Sequence, residues 1–100
     1  MRLTEEEKKE ILSKYQDNTS DELLTHLKRT YHIFSEKLDW MDTPIKYIHV
    51  DGKTRMLTNH KKNMVNKIYS LEENMWSGLG KDVIRRTIKK FIDGNLIDTK

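Results

Sequence analysis

Lys81, Arg85, Arg86, Lys89 and Lys90 place five cations within ten residues, offset there only by Asp82. At helical spacing Arg85 and Lys89 fall on one stripe, and Arg86 and Lys90 on the next. Each such side chain can meet a phosphate, and every phosphate neutralised releases counterions from a nucleic acid. Arginine can also hold guanine O6 and N7 together from the major groove. An acidic protein surface would meet the same cations, and a plain solvated helix face would also carry them, so the cluster alone leaves all three readings open.

Other chemistry finds little footing. His26, His32, His49 and His60 show neither H-x-x-x-H nor H-E-x-x-H spacing. His49 and Asp51 lie two apart and share a strand face, but two ligands do not complete a zinc site. There is no cysteine, which excludes disulfides and thiolate chemistry. "SGLGKD" lacks the spacing, and the Ser/Thr after the lysine, of a phosphate loop. The expectation is a non-enzyme with no metal and no cofactor.

Composition limits what can carry the cluster. In 100 residues, 35% are hydrophobic and 35% charged, so one domain with a thin core is expected. No apolar run approaches the roughly 18 residues of a membrane span. "MRLTEEEKKEILSKY" has no stretch suited to a signal peptide. These features lead us to expect a soluble, cytoplasmic protein with no membrane partner. Residues 1–42 carry seven Lys/Arg against ten Asp/Glu, a net of −3, and residues 43–100 carry twelve against six, a net of +6. Phosphate contacts therefore belong to the second part of the chain.

The elements follow from spacing and breakers. Thr4 with Glu7 forms a capping-box signature, and Ile11, Leu12 and Tyr15 give an apolar face, so a first helix is expected there. "QDNTSDE" breaks it, and Ser20 caps a second. Leu24, Leu27, Tyr31, Phe34, Leu38 and Met41 then follow at spacings 3, 4, 3, 4, 3 with no Gly or Pro between them. That heptad seam favours a single helix of about twenty residues. A break at Lys28–Arg29–Thr30 is the alternative, with Thr30 capping a further helix.

"IKYIHVDGKTRMLT" reads as a β-hairpin turning at Asp51–Gly52. It would set Val50 opposite Lys53, Ile48 opposite Arg55 and Tyr47 opposite Met56. Two more helices are expected over 60–97. In the first, Met64, Ile68, Leu71 and Met75 form one stripe. In the second, Val83, Ile84, Thr87, Ile88, Phe91 and Ile92 turn inward, and Gly94 ends the helix.

Thr4, Glu6, Glu7, Ser20, Glu22, Leu23, Leu27, Arg29, Thr30, Ile33 and Lys37 follow an order found elsewhere. With them, residues 1–41 resemble the Myb/SANT-like helix-turn-helix modules of GcrA-type bacterial regulators and the DNA-binding segments of phage homing endonucleases. Lys28 stands where those modules carry their turn glycine. Val83, Arg85, Arg86, Ile88, Lys89, Gly94, Leu96 and Ile97 likewise resemble the recognition-helix stretch of winged-helix regulators. The first resemblance implies the broken form of 22–41, with Arg29 and His32 at base edges and Lys37 nearby.

The expected fold is therefore mainly α with one β-hairpin: a helix-turn-helix or winged-helix-like module over 1–42, a hairpin over 45–58 and two C-terminal helices. The expected function is that of a small DNA-binding regulator of phage or bacterial type acting on double-stranded DNA, with a homodimer allowed. Phosphate contacts would come from Lys53, Arg55, Lys81, Arg85, Arg86, Lys89 and Lys90. The competing expectation is a small phage-type adaptor or inhibitor bound to a host protein, built on the unbroken helix.

Overall fold

The computed structural model describes Thr4, Glu6 and residues 18–96. The helix expected over Ile11, Leu12 and Tyr15 lies outside the described residues. Within them the order is α1 (Asp21–Thr30), β1 (His32–Glu36), β2 (Ile45–Val50), β3 (Lys53–Met56), α2 (Lys61–Glu72), a short 3-10 turn (Ser77–Leu79) and α3 (Lys81–Leu96). The strands form one antiparallel sheet in the order β1-β2-β3. The architecture is mixed α/β, not mainly α with one hairpin.

α1 starts as its sequence requires. The Ser20 hydroxyl accepts from the Leu23 amide at 3.2 Å, and Asp21 and Glu22 occupy the first turn. The Ser20 amide in turn donates to Thr87 Oγ1 at 3.0 Å, tying the cap to the middle of α3. Leu23 and Leu27 are fully buried. The helix ends at Thr30, and Tyr31 is already extended, with φ −114° and ψ 123°.

Neither expectation for residues 22–41 holds beyond this point, because residues 32–36 form a strand. Thr30–Phe34 is a run of β-branched and aromatic residues with one histidine, a composition that suits a pleated surface. Pairing fixes the outcome: Ile33 lies opposite Ile48 and packs against the core, while Phe34 lies opposite Tyr47 on the other face. The apolar seam ends with the helix, and Leu38 is 44% exposed. The third helix implied by the Myb/SANT-like resemblance is thus absent over 31–41.

The hairpin forms as expected. Asp51 and Gly52 have φ of 54° and 75°, the two positive values that a type I′ turn demands. Val50 pairs with Lys53, Ile48 with Arg55 and Tyr47 with Met56. The inner sheet face carries Ile48 and Val50 into a core completed by Leu57, Met64, Val65, Ile68, Ile84, Ile88, Phe91 and Ile92. On the expected stripe of α2 only Met64 and Ile68 are buried, for Leu71 is 41% and Met75 73% exposed. α3 runs through Gly94 to Leu96, so that glycine does not end it.

A buried carboxylate fixes the end of α2. Glu72 accepts hydrogen bonds from the Tyr31 hydroxyl and from Trp76 Nε1, and lies 2.9 Å from His26 Nε2. It joins α1 to the far end of α2 across the molecule. At the near end, Lys61 pairs with Asp93 of α3. The start of α2 therefore meets the end of α3, and the two helices run antiparallel.

Candidate functional site

Antiparallel packing of α2 and α3 opens a cleft of about 380 Å³ lined by Lys61, Lys62, Val65, Asn66, Arg85 and Lys89. Four of these six residues are cations. Arg85 and Lys89 come from one stripe of α3, one turn apart. Lys61, Lys62 and Asn66 come from the first turns of α2.

Arg85 is held in place. Its Nη2 donates to Asn66 Oδ1 at 2.6 Å, and its guanidinium lies 5.0 Å from the centre of the Tyr69 ring. A planar group clamped in this way loses little rotamer freedom when an anion reaches its remaining donors. Lys62 and Lys89 are exposed and, among the described residues, have no ion-pair partner. Asp93 offsets Lys61 at one end of the cleft, and the middle keeps its positive charge.

The start of α2 adds to that field. Helix N-termini carry partial positive charge and favour acidic side chains. Here the first turn has no acidic residue and two lysines, and no side chain caps it. The arrangement opposes the helix dipole and costs local stability. An anion seated in the cleft would relieve the repulsion among these lysines.

The hairpin turn meets α2 away from the cleft. Lys67 of α2 reaches Asp51 at 3.5 Å, and at 3.6 residues per turn Lys67 lies on the flank of α2 away from the cleft residues Lys61, Lys62 and Asn66. Lys53 is exposed beside that turn. Lys53 and Lys67 are therefore not part of the cleft, whose cations are Lys61, Lys62, Arg85 and Lys89.

The other expected contact residues do not all join it. Arg86 and Lys90 lie on the neighbouring stripe of α3. Lys90 lines a separate groove with Lys28, Leu24, Phe91 and Asn95 against α1. Lys81 is exposed at the start of α3. Arg55 points to the inner sheet side, opposite Ile48, and its Nε is buried without a hydrogen-bond partner. Arg29 is exposed in the last turn of α1, Lys37 is exposed just after β1, and His32 sits on the outer sheet face. Arg29 and His32 do not share a recognition helix.

Lys61, Lys62 and Asn66 were missing from the expected set. A signal for them does exist in "HKKN": two lysines opening a helix where acidic residues belong, a local rule broken without a local reason.

Among the described residues no group of three His, Cys, Asp or Glu could hold a metal ion. No helix there is long and apolar enough to cross a membrane. No protein-family model matches the chain, and no curated protein or solved structure is significantly similar to it.

Proposed function

We propose that the chain is a small DNA-binding protein of regulatory type that grips the duplex backbone with the cleft between α2 and α3. The observation that carries this reading is the convergence of Arg85 and Lys89 with Lys61 and Lys62 at the uncapped start of α2. Clamped Arg85 takes a phosphate oxygen with its free donors, and Lys62 and Lys89 supply mobile charge on either side.

Such contacts set position and affinity and carry no base information. Binding is therefore expected to be similar on unrelated sequences and strongly salt-dependent. With roughly three phosphates neutralised, a log–log salt slope near −2.7 means an affinity loss of about 40-fold between ~50 and ~200 mM salt.

Fluorescence anisotropy on a labelled random duplex at those two salt concentrations tests the reading. The double variant Arg85→Glu/Lys89→Glu should then lose binding to all sequences alike. Absence of binding by the wild-type chain at the lower salt would overturn the DNA reading. The cleft would remain as a surface for an acidic protein partner, the adaptor alternative.

A further inference from the structure

The sheet has two edges, and they are built differently. β3, with sequence KTRM, carries exposed Lys53 and an inward-pointing Arg55, two charged-residue devices that resist pairing of one such edge with another. β1, with sequence HIFSE, has no lysine, arginine, proline or bulge. Among the described residues, β1 thus lacks the lysine, proline and bulge devices that protect sheet edges.

Backbone parity shows which groups β1 offers. The Leu57 amide donates to the Lys46 carbonyl, so Lys46, Ile48 and Val50 direct their backbone groups toward β3. Ile45, Tyr47 and His49 therefore face β1, where they meet Glu36, Phe34 and His32. In an antiparallel ladder the intervening residues point the other way. Ile33 and Ser35 thus turn their N–H and C=O groups outward, and among the described residues neither has a recorded partner there.

The strand is also complementary to itself. Two copies of β1 placed antiparallel about Phe34 set Ile33 opposite Ser35 of the other copy, and each such pair exchanges both its N–H···O bonds. Phe34 meets its own counterpart at a non-hydrogen-bonded position, where side chains approach closest. His32 falls opposite Glu36 at both ends, so an imidazole N–H can donate to a carboxylate twice.

The outer face suits the same arrangement. His32 stacks on Phe34 at 5.7 Å and Phe34 on Tyr47 at 5.6 Å, with interplanar angles of 17° and 22°. Phe34 and Tyr47 are only half-buried and contribute nothing to the core. Across the two-fold axis this row of rings would continue into the row of the second copy.

From these features we infer that the chain self-associates through β1, forming a two-fold dimer with one continuous six-stranded sheet. The inference is independent of the DNA reading, because β1 shares no residue with the cationic cleft.

Analytical ultracentrifugation of the full chain from about 1 to about 300 µM spans the range of weak dimers, and a monomer–dimer equilibrium is expected. Ser35→Pro removes an outward amide that β2 does not use, a position where edge strands accept proline. The variant should sediment as a monomer with an unchanged far-UV circular dichroism spectrum.

A charge test works even if that proline perturbs the strand. Glu36→His sets imidazole opposite imidazole and should weaken the dimer, and adding His32→Glu should restore it. A wild-type chain that stays monomeric throughout the range would overturn the inference. A folded Ser35→Pro chain that dimerises as the wild type does, or a swap that fails to rescue, would overturn it equally.

Discussion

The Tyr31 hydroxyl donates to Oε2 of Glu72 at 2.5 Å, across 41 residues of chain. Tyr31 marks the end of α1, and Glu72 closes α2. Both are buried, at 6% and 5% exposure. A carboxylate out of water is tolerable only when its oxygens are occupied. Trp76 and His26 fill Oε1 and Tyr31 fills Oε2. Tyr31→Phe keeps the ring and leaves Oε2 unsatisfied. A loss of about 1.5–3 kcal/mol in unfolding free energy follows, because the bond lost is to a charged group. Urea denaturation followed by circular dichroism reads it.

The same contact makes stability fall in alkali. Burial first, then the hydrogen bond to Glu72 and its charge, raise the Tyr31 phenol above its ordinary value near 10. The folded protein therefore holds this proton where the unfolded chain has released it. The stabilisation is complete below pH 10 and is lost as pH rises through the folded value, with a limiting slope of about 1.4 kcal/mol per pH unit. Midpoints of urea unfolding between pH 8 and pH 11, about the range where tyrosine begins to ionise, should drop more steeply for wild type than for Tyr31→Phe. Parallel profiles would remove Tyr31 as the cause.

Leu27 and Leu38 both fall on the heptad seam, but only one of them is buried in the fold. Leu27 is fully buried on α1, and Leu38 follows β1 at 44% exposure. Leu27→Ala should cost about 2–5 kcal/mol, the range for a large-to-small change in a core. Leu38→Ala should stay within about 0.5 kcal/mol. Equal losses in urea titrations would restore a continuous helical seam and remove β1.

These two leucines also show what was legible in the sequence. The turn at Asp51–Gly52 could be read because its geometry is set by two adjacent residues, and the register of β2 on β3 follows from it. β1 could not be read in the same way. Its partners lie in 45–49, and a pairing that distant leaves no mark on local spacing. Phe34, Leu38 and Met41 continued the helical spacing without a helix, and only the β-favouring run Thr30–Phe34 argued otherwise. The cationic site divides along the same line. Arg85 and Lys89 share a stripe and were legible, whereas Lys61 and Lys62 join them only through packing between helices.

Asn66 separates the two tasks of the cleft, holding Arg85 and leaving it charged. Asn66→Asp keeps the size and the hydrogen-bond acceptor, and adds a carboxylate 2.6 Å from the guanidinium in the wild-type geometry. The new ion pair is half-exposed, so fold stability should change little. DNA binding should change more, because Arg85 then has its own anion and the cleft repels a phosphate. One fewer neutralised phosphate lowers the magnitude of the log–log salt slope by about 0.9. Asn66→Ala frees Arg85 without adding charge and should leave that slope near its wild-type value. Anisotropy titrations of both variants across salt distinguish these cases. A slope unchanged by Asn66→Asp would remove Arg85 from the phosphate contacts.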